Sequence, residues 1–126
     1  MILKDDFYTV EQLVAEEGNI HATLRLNGKH RIFEGHFPEQ PVVPGVCMIQ
    51  MIKELLETVT GNRLLLRQSD TIKFLSVIDP TEGKPLLADI SYNNIEDKGW
   101  QVTASLLIEE RICLKLKAGF EINTSR

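Results

Sequence analysis

The sequence predicts an α+β domain in which one long helix is wrapped by a curved antiparallel sheet of five to six strands. Three observations lead there. A single segment, Val46 to Thr60, carries apolar residues at helical spacing over about four turns. The segments before and after it read with the alternating pattern of half-buried strands. The chain has 126 residues and no internal repeat, low-complexity tract or linker, so residues 1–126 form one domain around one core.

The elements follow in chain order. Phe7, Thr9, Gln12 and Val14 lie in a stretch of moderate alternation that stops at Glu17-Gly18-Asn19. Ile20, Ala22, Leu24 and Leu26 then share one face, with His21, Thr23 and Arg25 on the other, and Asn27-Gly28 marks a turn. The loop GHFPEQPVVPG (residues 35–45) is stiffened by Pro38, Pro41 and Pro44, each of which fixes its own φ and restricts the residue before it. In the helix, Met48, Ile49, Met51, Ile52, Leu55, Leu56 and Val59 make one broad apolar arc. Gln50, Lys53, Glu54 and Glu57 fill the opposite arc, and Gly61-Asn62 is the stop signal. Four strands complete the chain, at Leu64–Leu75, Pro85–Asn93, Trp100–Glu109 and Ile112–Glu121.

Composition bounds the function. Apolar residues make up 43% and charged residues 25%, an ordinary globular mix, while aromatics at 6% leave the core to aliphatic side chains. A formal charge of −4 argues against nucleic acid, whose binders carry a basic stripe. The opening MILKDDFYTV has acids where a signal peptide carries bases, and no apolar run is long enough to span a bilayer. Cys47 and Cys113 stand alone, which fits reduced thiols in a cytoplasmic protein and offers no zinc-ligand spacing. Cys47 is expected to be buried and inert, and Met48 and Met51 to be core packing.

The residues with most chemical content are at His30 to Val46. His36 sits in the proline-stiffened loop just ahead of a helix start. A helix N-terminus offers unpaired N–H groups and the positive end of a dipole, and Gly45 lets a ligand approach that backbone. Histidine can take a proton near neutral pH. A base beside an oxyanion site is what removal of a proton α to a thioester carbonyl requires.

GHFPEQPVVPGV (residues 35–46) resembles the active-site loop of the (3R)-hydroxyacyl-acyl-carrier-protein dehydratases, the FabZ/FabA-like family, with the pattern G-H-F-P-x-x-P-x-x-P-G-V. KFLSVIDP (residues 73–80) is similar to that family's later K-F-x-x-x-V-x-P-G-D segment, with Thr81-Glu82 in place of the final Gly-Asp. The resemblance implies a hotdog fold, dimerised edge to edge, with sites at the dimer interface over an acyl tunnel. It implies that His36 is the catalytic histidine and that the N–H of Gly45, with Val46, binds the thioester carbonyl. Phe33 and Phe37 are candidates for the acyl-tunnel lining, and packing under the loop explains them equally well. The expected activity is dehydration of 3-hydroxyacyl thioesters on acyl carrier protein or CoA, without metal or organic cofactor. The expected assembly is a homodimer, with stacking into a trimer of dimers left open.

Two departures stand out. The family's helix carries Glu or Asp fourteen residues after the histidine, and this chain has Gln50 there. An amide holds a hydroxyl but cannot deliver a proton as an acid, a contribution typically worth about 10²–10⁴-fold. The family's N-terminal H-R-x-P-F-L-L-x-D segment is also absent. Glu34, Glu39, Glu54 and Glu57 are the other acids in reach, and all four are expected to be solvated charges. Lys29, Arg31 and Lys73 are candidates for docking an acidic carrier protein, and His21 and His30 read as surface and loop polar residues. The missing acid keeps two alternatives open: a thioesterase in which Gln50 positions water, and a non-catalytic acyl-binding subunit paired with an acid-bearing homologue.

Overall fold

The computed structural model describes residues 2–34 and 40–124. Six strands and one long helix follow in the order β1 (Tyr8–Glu16), β2 (Asn19–Leu26), α1 (Gly45–Thr60), β3 (Leu64–Phe74), β4 (Leu86–Ile95), β5 (Gly99–Ile108) and β6 (Arg111–Ile122). These match the expected elements to within a residue or two. A short 3₁₀ turn at Arg31–Phe33 is additional. His30 caps it by accepting from the Ile32 N–H at 3.1 Å, a side-chain role that no periodicity announces.

The turns form where the sequence carries turn residues. Glu17 and Gly18 both have positive φ, at 43° and 83°, so a two-residue hairpin of the twist-matched kind joins β1 to β2. Gly61, with φ 72°, ends α1 in the left-handed conformation, and its N–H donates to the Glu57 carbonyl.

All strand pairs are antiparallel, in the order β1-β2-β4-β5-β6-β3. β3 follows α1 but lies at the far edge from β1, so the chain passes across the sheet by way of the helix. The registers Ile20↔Ile90, Ala22↔Ala88 and Leu24↔Leu86 put the alternating apolar residues of β2 and β4 on one face. Val102, Ala104 and Leu106 of β5, with Leu116, Ala118 and Phe120 of β6, continue that face. Against it lie Cys47, Met48, Met51, Ile52, Leu55 and Leu56 of α1, all in one core cluster with the strands. Each such large apolar side chain contributes about 1.5–3 kcal/mol on burial. Among the described residues, no helix is long and apolar enough to cross a membrane.

The two sheet edges differ. β1 faces outward with Glu11, Gln12 and Glu16, all exposed. β3 is eleven residues long: Leu65 and Leu66 near its start and Phe74 at its end are exposed, with exposed Arg67, Gln68, Ser69 and Asp70 between them, and Leu75 and Val77 are exposed just after it. A long edge strand presents unpaired backbone groups for pairing with another chain.

Gly99 tests the closeness of the β5–β6 contact. A Cβ there would lie 2.0 Å from the Phe120 carbonyl oxygen and 2.9 Å from Glu121 Cα, both rigid backbone. Gly99→Ala is expected to lower the unfolding free energy by about 3 kcal/mol, read as a fall in the urea midpoint.

Candidate active site

The two sequence segments singled out above meet in space. Val43 is buried, and its N–H donates to the Ile78 carbonyl at 2.9 Å, tying the proline-rich loop to the segment after β3. Gly45, the first residue of α1, backs onto the ring of Phe74: an added Cβ would lie 2.7 Å from Phe74 Cζ. Between the two segments lies an apolar groove of about 400 Å³, walled by Val42, Val43, Gly45 and Met48 on one side and Phe74 to Val77 on the other. That volume is within the range of small-molecule sites. Pro44 is the N-cap and supplies no side-chain acceptor, while the N–H groups of Cys47 and Met48 already turn back to its carbonyl. The N–H groups of Gly45 and Val46 therefore belong to the helix end that has no intrahelical acceptor. Val46 itself is 65% exposed.

A second feature sits further along the helix. Glu54 is 6% exposed, the one buried charged side chain among the described residues. Its Oε1 accepts from the Lys4 N–H at 2.8 Å and from the Tyr8 hydroxyl at 2.9 Å. Its Oε2 accepts from the Leu3 N–H and from Gln50 Nε2, both at 2.8 Å. Burial, then the charge and hydrogen bond of Glu54, push the Tyr8 phenol far above its ordinary range, so it stays protonated and donates. A cleft of about 650 Å³ opens beside this cluster, running from Gln50 past Lys53 and Glu57 to Arg63 and Leu64 at the start of β3.

The expectation that Glu54 is a solvated charge is therefore corrected. The N-terminal segment folds over the helix arc that looked solvent-facing, and its backbone N–H groups compensate the carboxylate. Glu57 is also engaged: half-buried, it accepts from the Leu64 N–H at 2.8 Å. Glu34 is exposed, as expected. Phe33 is buried, with its ring centroid 5.3 Å from that of Phe7. His30 bridges Asp6 and the Ile32 N–H, while His21 pairs with Asp89 on the sheet surface. Cys47 is buried, and burial pushes its thiol up. Met48 and Met51 are core residues. Lys29, Arg31 and Lys73 are exposed. His36, Phe37 and Glu39 lie outside the described residues. Sequence reasoning missed Tyr8 and the role of Glu54, which is made by contacts about fifty residues apart.

The model of the ApeI-like family, described as ApeI dehydratase, matches residues 11–104. The chain belongs to the ApeI-like dehydratase family. Among curated proteins it is similar to the 3-hydroxyacyl-[acyl-carrier-protein] dehydratase FabZ of Caldanaerobacter subterraneus, 26% identical over 98 residues, covering 71% of this chain and 68% of that protein. It is likewise similar to FabZ of Lactobacillus helveticus, 25% identical over 109 residues, covering 81% of this chain and 72% of that protein. Among solved structures, the dehydratase heterocomplex ApeI:P from Xenorhabdus doucetiae superposes with a TM-score of 0.71 at 20% identity, covering 89% of this chain and 96% of that one. A hypothetical thioesterase with coenzyme A from Streptococcus pneumoniae superposes with a TM-score of 0.65 at 13% identity, covering 94% and 88%. The fold is the hotdog fold, and the chain falls among the dehydratases of that fold.

Within this ApeI-like chain the buried protonated groups make a solution prediction. Burial raises Tyr8, Cys47 and Cys113 above their ordinary values. Above about pH 9 the unfolded chain releases these protons while the folded chain retains them, so stability falls as pH rises. The wild type is expected to lose stability between about pH 9 and 10.5, most of it through the two cysteines, and Tyr8→Phe to lose slightly less, in urea melts at both pH values.

Proposed function

We propose that this protein is a dehydratase acting on 3-hydroxyacyl thioesters carried on acyl carrier protein or CoA, and that its working unit is a dimer paired through β3. The observation that carries the reading is the apolar groove at the uncapped start of α1, where both segments resembling the dehydratases converge. The groove suits an acyl thioester. Its carbonyl oxygen would receive the N–H of Gly45, with Val46, at the positive end of the helix dipole.

The positions of the two clefts support the dimer. The groove reaches Phe74 at the end of β3, and the Gln50 cleft reaches Leu64 at its start. Antiparallel pairing of two β3 edges about a twofold axis sets the end of one strand beside the start of the other. The groove of one protomer then neighbours the Gln50 cleft of its partner, and each site draws on two chains.

The chemistry balances without a cofactor. His36 takes the proton from C2, and the C2–H electron pair becomes the C2–C3 double bond as the C3–O bond breaks. The departing oxygen leaves with the bond's electron pair and takes the proton from His36, giving water and the enoyl thioester. Gln50 holds the leaving hydroxyl but donates no acid proton.

A second reading has its own support. Position 50 holds an amide where the dehydratase pattern has an acid, and a solved structural neighbour is a dehydratase heterocomplex. In that reading the chain pairs with an acid-bearing homologue. The thioesterase alternative shares the groove and predicts free thiol from acyl-CoA instead of enoyl product.

The deciding assay is turnover of 3-hydroxybutyryl-CoA by the purified chain. Enoyl product is expected, with His36→Ala lowering kcat by about 10²–10⁴-fold. A silent wild type with an active Gln50→Glu variant would favour the heterocomplex. Silence in every variant, with any 3-hydroxyacyl thioester, would end the dehydratase reading. Replacing Lys29, Arg31 and Lys73 by Glu is expected to raise KM for carrier-bound substrate more than for the CoA thioester. Equal effects on both would remove these residues from carrier docking.

A further inference from the structure

We propose that the free edge of β3 recognises a second copy of itself in a single register, with the twofold axis at Ser69, and that two bulges in the strand select that register. This rests on the β3-paired dimer of the proposed function and adds to it which partner the edge fits and which residues meet across it.

β3 slips twice against β6. The pairing runs from Leu64↔Ile122 to Leu66↔Phe120, skips Arg67, continues with Gln68↔Gly119 and Ser69↔Ala118, skips Asp70, and resumes from Thr71↔Lys117 to Phe74↔Leu114. Each skipped residue marks a bulge. Leu114, Leu116, Ala118 and Phe120 of β6 are buried, so their partners Phe74, Ile72, Ser69 and Leu66 point to the helix side of the sheet. Leu64, itself buried, points the same way. Leu65, Gln68, Thr71 and Lys73 point to the outer side. The bulge residues join them there: Arg67 pairs with Glu121, and Asp70 accepts from Gln68 Nε2 at 2.6 Å and from Gln101 Nε2 at 3.0 Å.

Counted away from Ser69, both halves of β3 therefore give the same order of outer, outer, inner, outer, inner. Residues directly opposite in an antiparallel pair share a side of the sheet, and a slip of one residue breaks that match. A copy turned about Ser69 matches from Leu64 to Phe74. An axis at Gln68 or Asp70 sets Ser69 against an outward residue at the first step. A strand of plain alternation matches only part of the edge. The chemistry agrees with the geometry. Leu66 and Phe74 point to the helix side and yet are 41% and 54% exposed. The Ser69 axis sets Leu66 against the partner's Ile72 and Phe74 against the partner's Leu64. Gln68 meets the partner's Asp70, an amide against a carboxylate, and two small hydroxyls meet on the axis. Phe74 walls the apolar groove and Leu64 lines the Gln50 cleft, so this register joins the groove of one protomer to the cleft of its partner.

Cysteine cross-linking of the full chain reads the register, since Cys47 and Cys113 are buried. Directly opposed Cα atoms about 4.5–5.5 Å apart are within disulfide reach. Dilute Ser69→Cys under mild oxidation is expected to form a disulfide-linked dimer. Gln68→Cys and Asp70→Cys alone are expected to link about tenfold less, and to link to each other when mixed. Ser69→Lys sets like charges on the axis and is expected to raise the dimer Kd at least about tenfold by sedimentation. Thr9→Lys, exposed on the opposite edge, is expected to leave it unchanged. Preferred linkage at position 68 or 70 overturns the register and leaves the β3 dimer in place. A dimer that links nowhere along β3, or a chain that pairs only with a homologue, overturns the inference. Linkage at Ser69 in a protein that dehydrates nothing removes the dehydratase reading and leaves this inference standing.

Discussion

The apolar arc of α1 has to be buried, and the rest of the molecule is arranged around that requirement. Sixteen residues make a helix only marginally stable in water, so its order comes from packing. Cys47, Met51, Ile52, Leu55 and Leu56 are almost fully excluded from solvent, and one flat sheet could not cover so wide an arc. A twisted six-stranded sheet can, and Ala22, Ala88, Ala104 and Ala118 are buried in it beside larger Ile and Leu. Wrapping the helix fixes where its N-terminus emerges. It emerges between the proline-rich loop and the segment after β3, which is where the groove forms.

Burying the helix nearly all round creates a problem on its polar side, and Glu54 is where that problem is resolved. A carboxylate this enclosed costs several kcal/mol unless hydrogen bonds compensate it. The compensation comes from the N-terminal segment, whose Leu3 and Lys4 N–H groups precede the first strand and need acceptors of their own. Each side satisfies the other. Tyr8 closes the arrangement with its hydroxyl inside and its ring in the core. The start of the chain is thereby coupled to Gln50 through one carboxylate.

This explains what could be read from the sequence and what could not. The strands and helix were legible because each is a local pattern. Ile20, Ala22 and Leu24 announce a face by alternation, and Met48 to Val59 announce one by helical spacing. The loop and its partner segment were legible as motifs, and their meeting through Val43 and Ile78 puts both in one place. Glu54 was not legible. On the helix it sits among Gln50, Lys53 and Glu57, an arc that looks solvated until Leu3, Lys4 and Tyr8 are laid across it. Nothing local in MILKDDFY states that its backbone will seek a carboxylate at position 54. The capping role of His30 was hidden for a related reason, since it depends on a 3₁₀ turn that leaves no period in the sequence.

The pair at positions 50 and 54 also bears on how an amide could stand where an acid is expected. An acid on the helix would have two separable tasks, holding the leaving hydroxyl and giving it a proton. Gln50 can perform the first and not the second. Holding is only as good as the amide's orientation, because a freely flipping amide offers a donor half the time. Glu54 fixes the Nε2 end of that amide, while each of its own oxygens accepts two hydrogen bonds. In the proposed dehydration, proton delivery would be left to the base that removed the C2 proton. Elimination through a single base keeps proton removal and hydroxyl departure on one face of the substrate. In the proposed dehydration, an acyl chain held in the apolar groove would have to present that face to a single base.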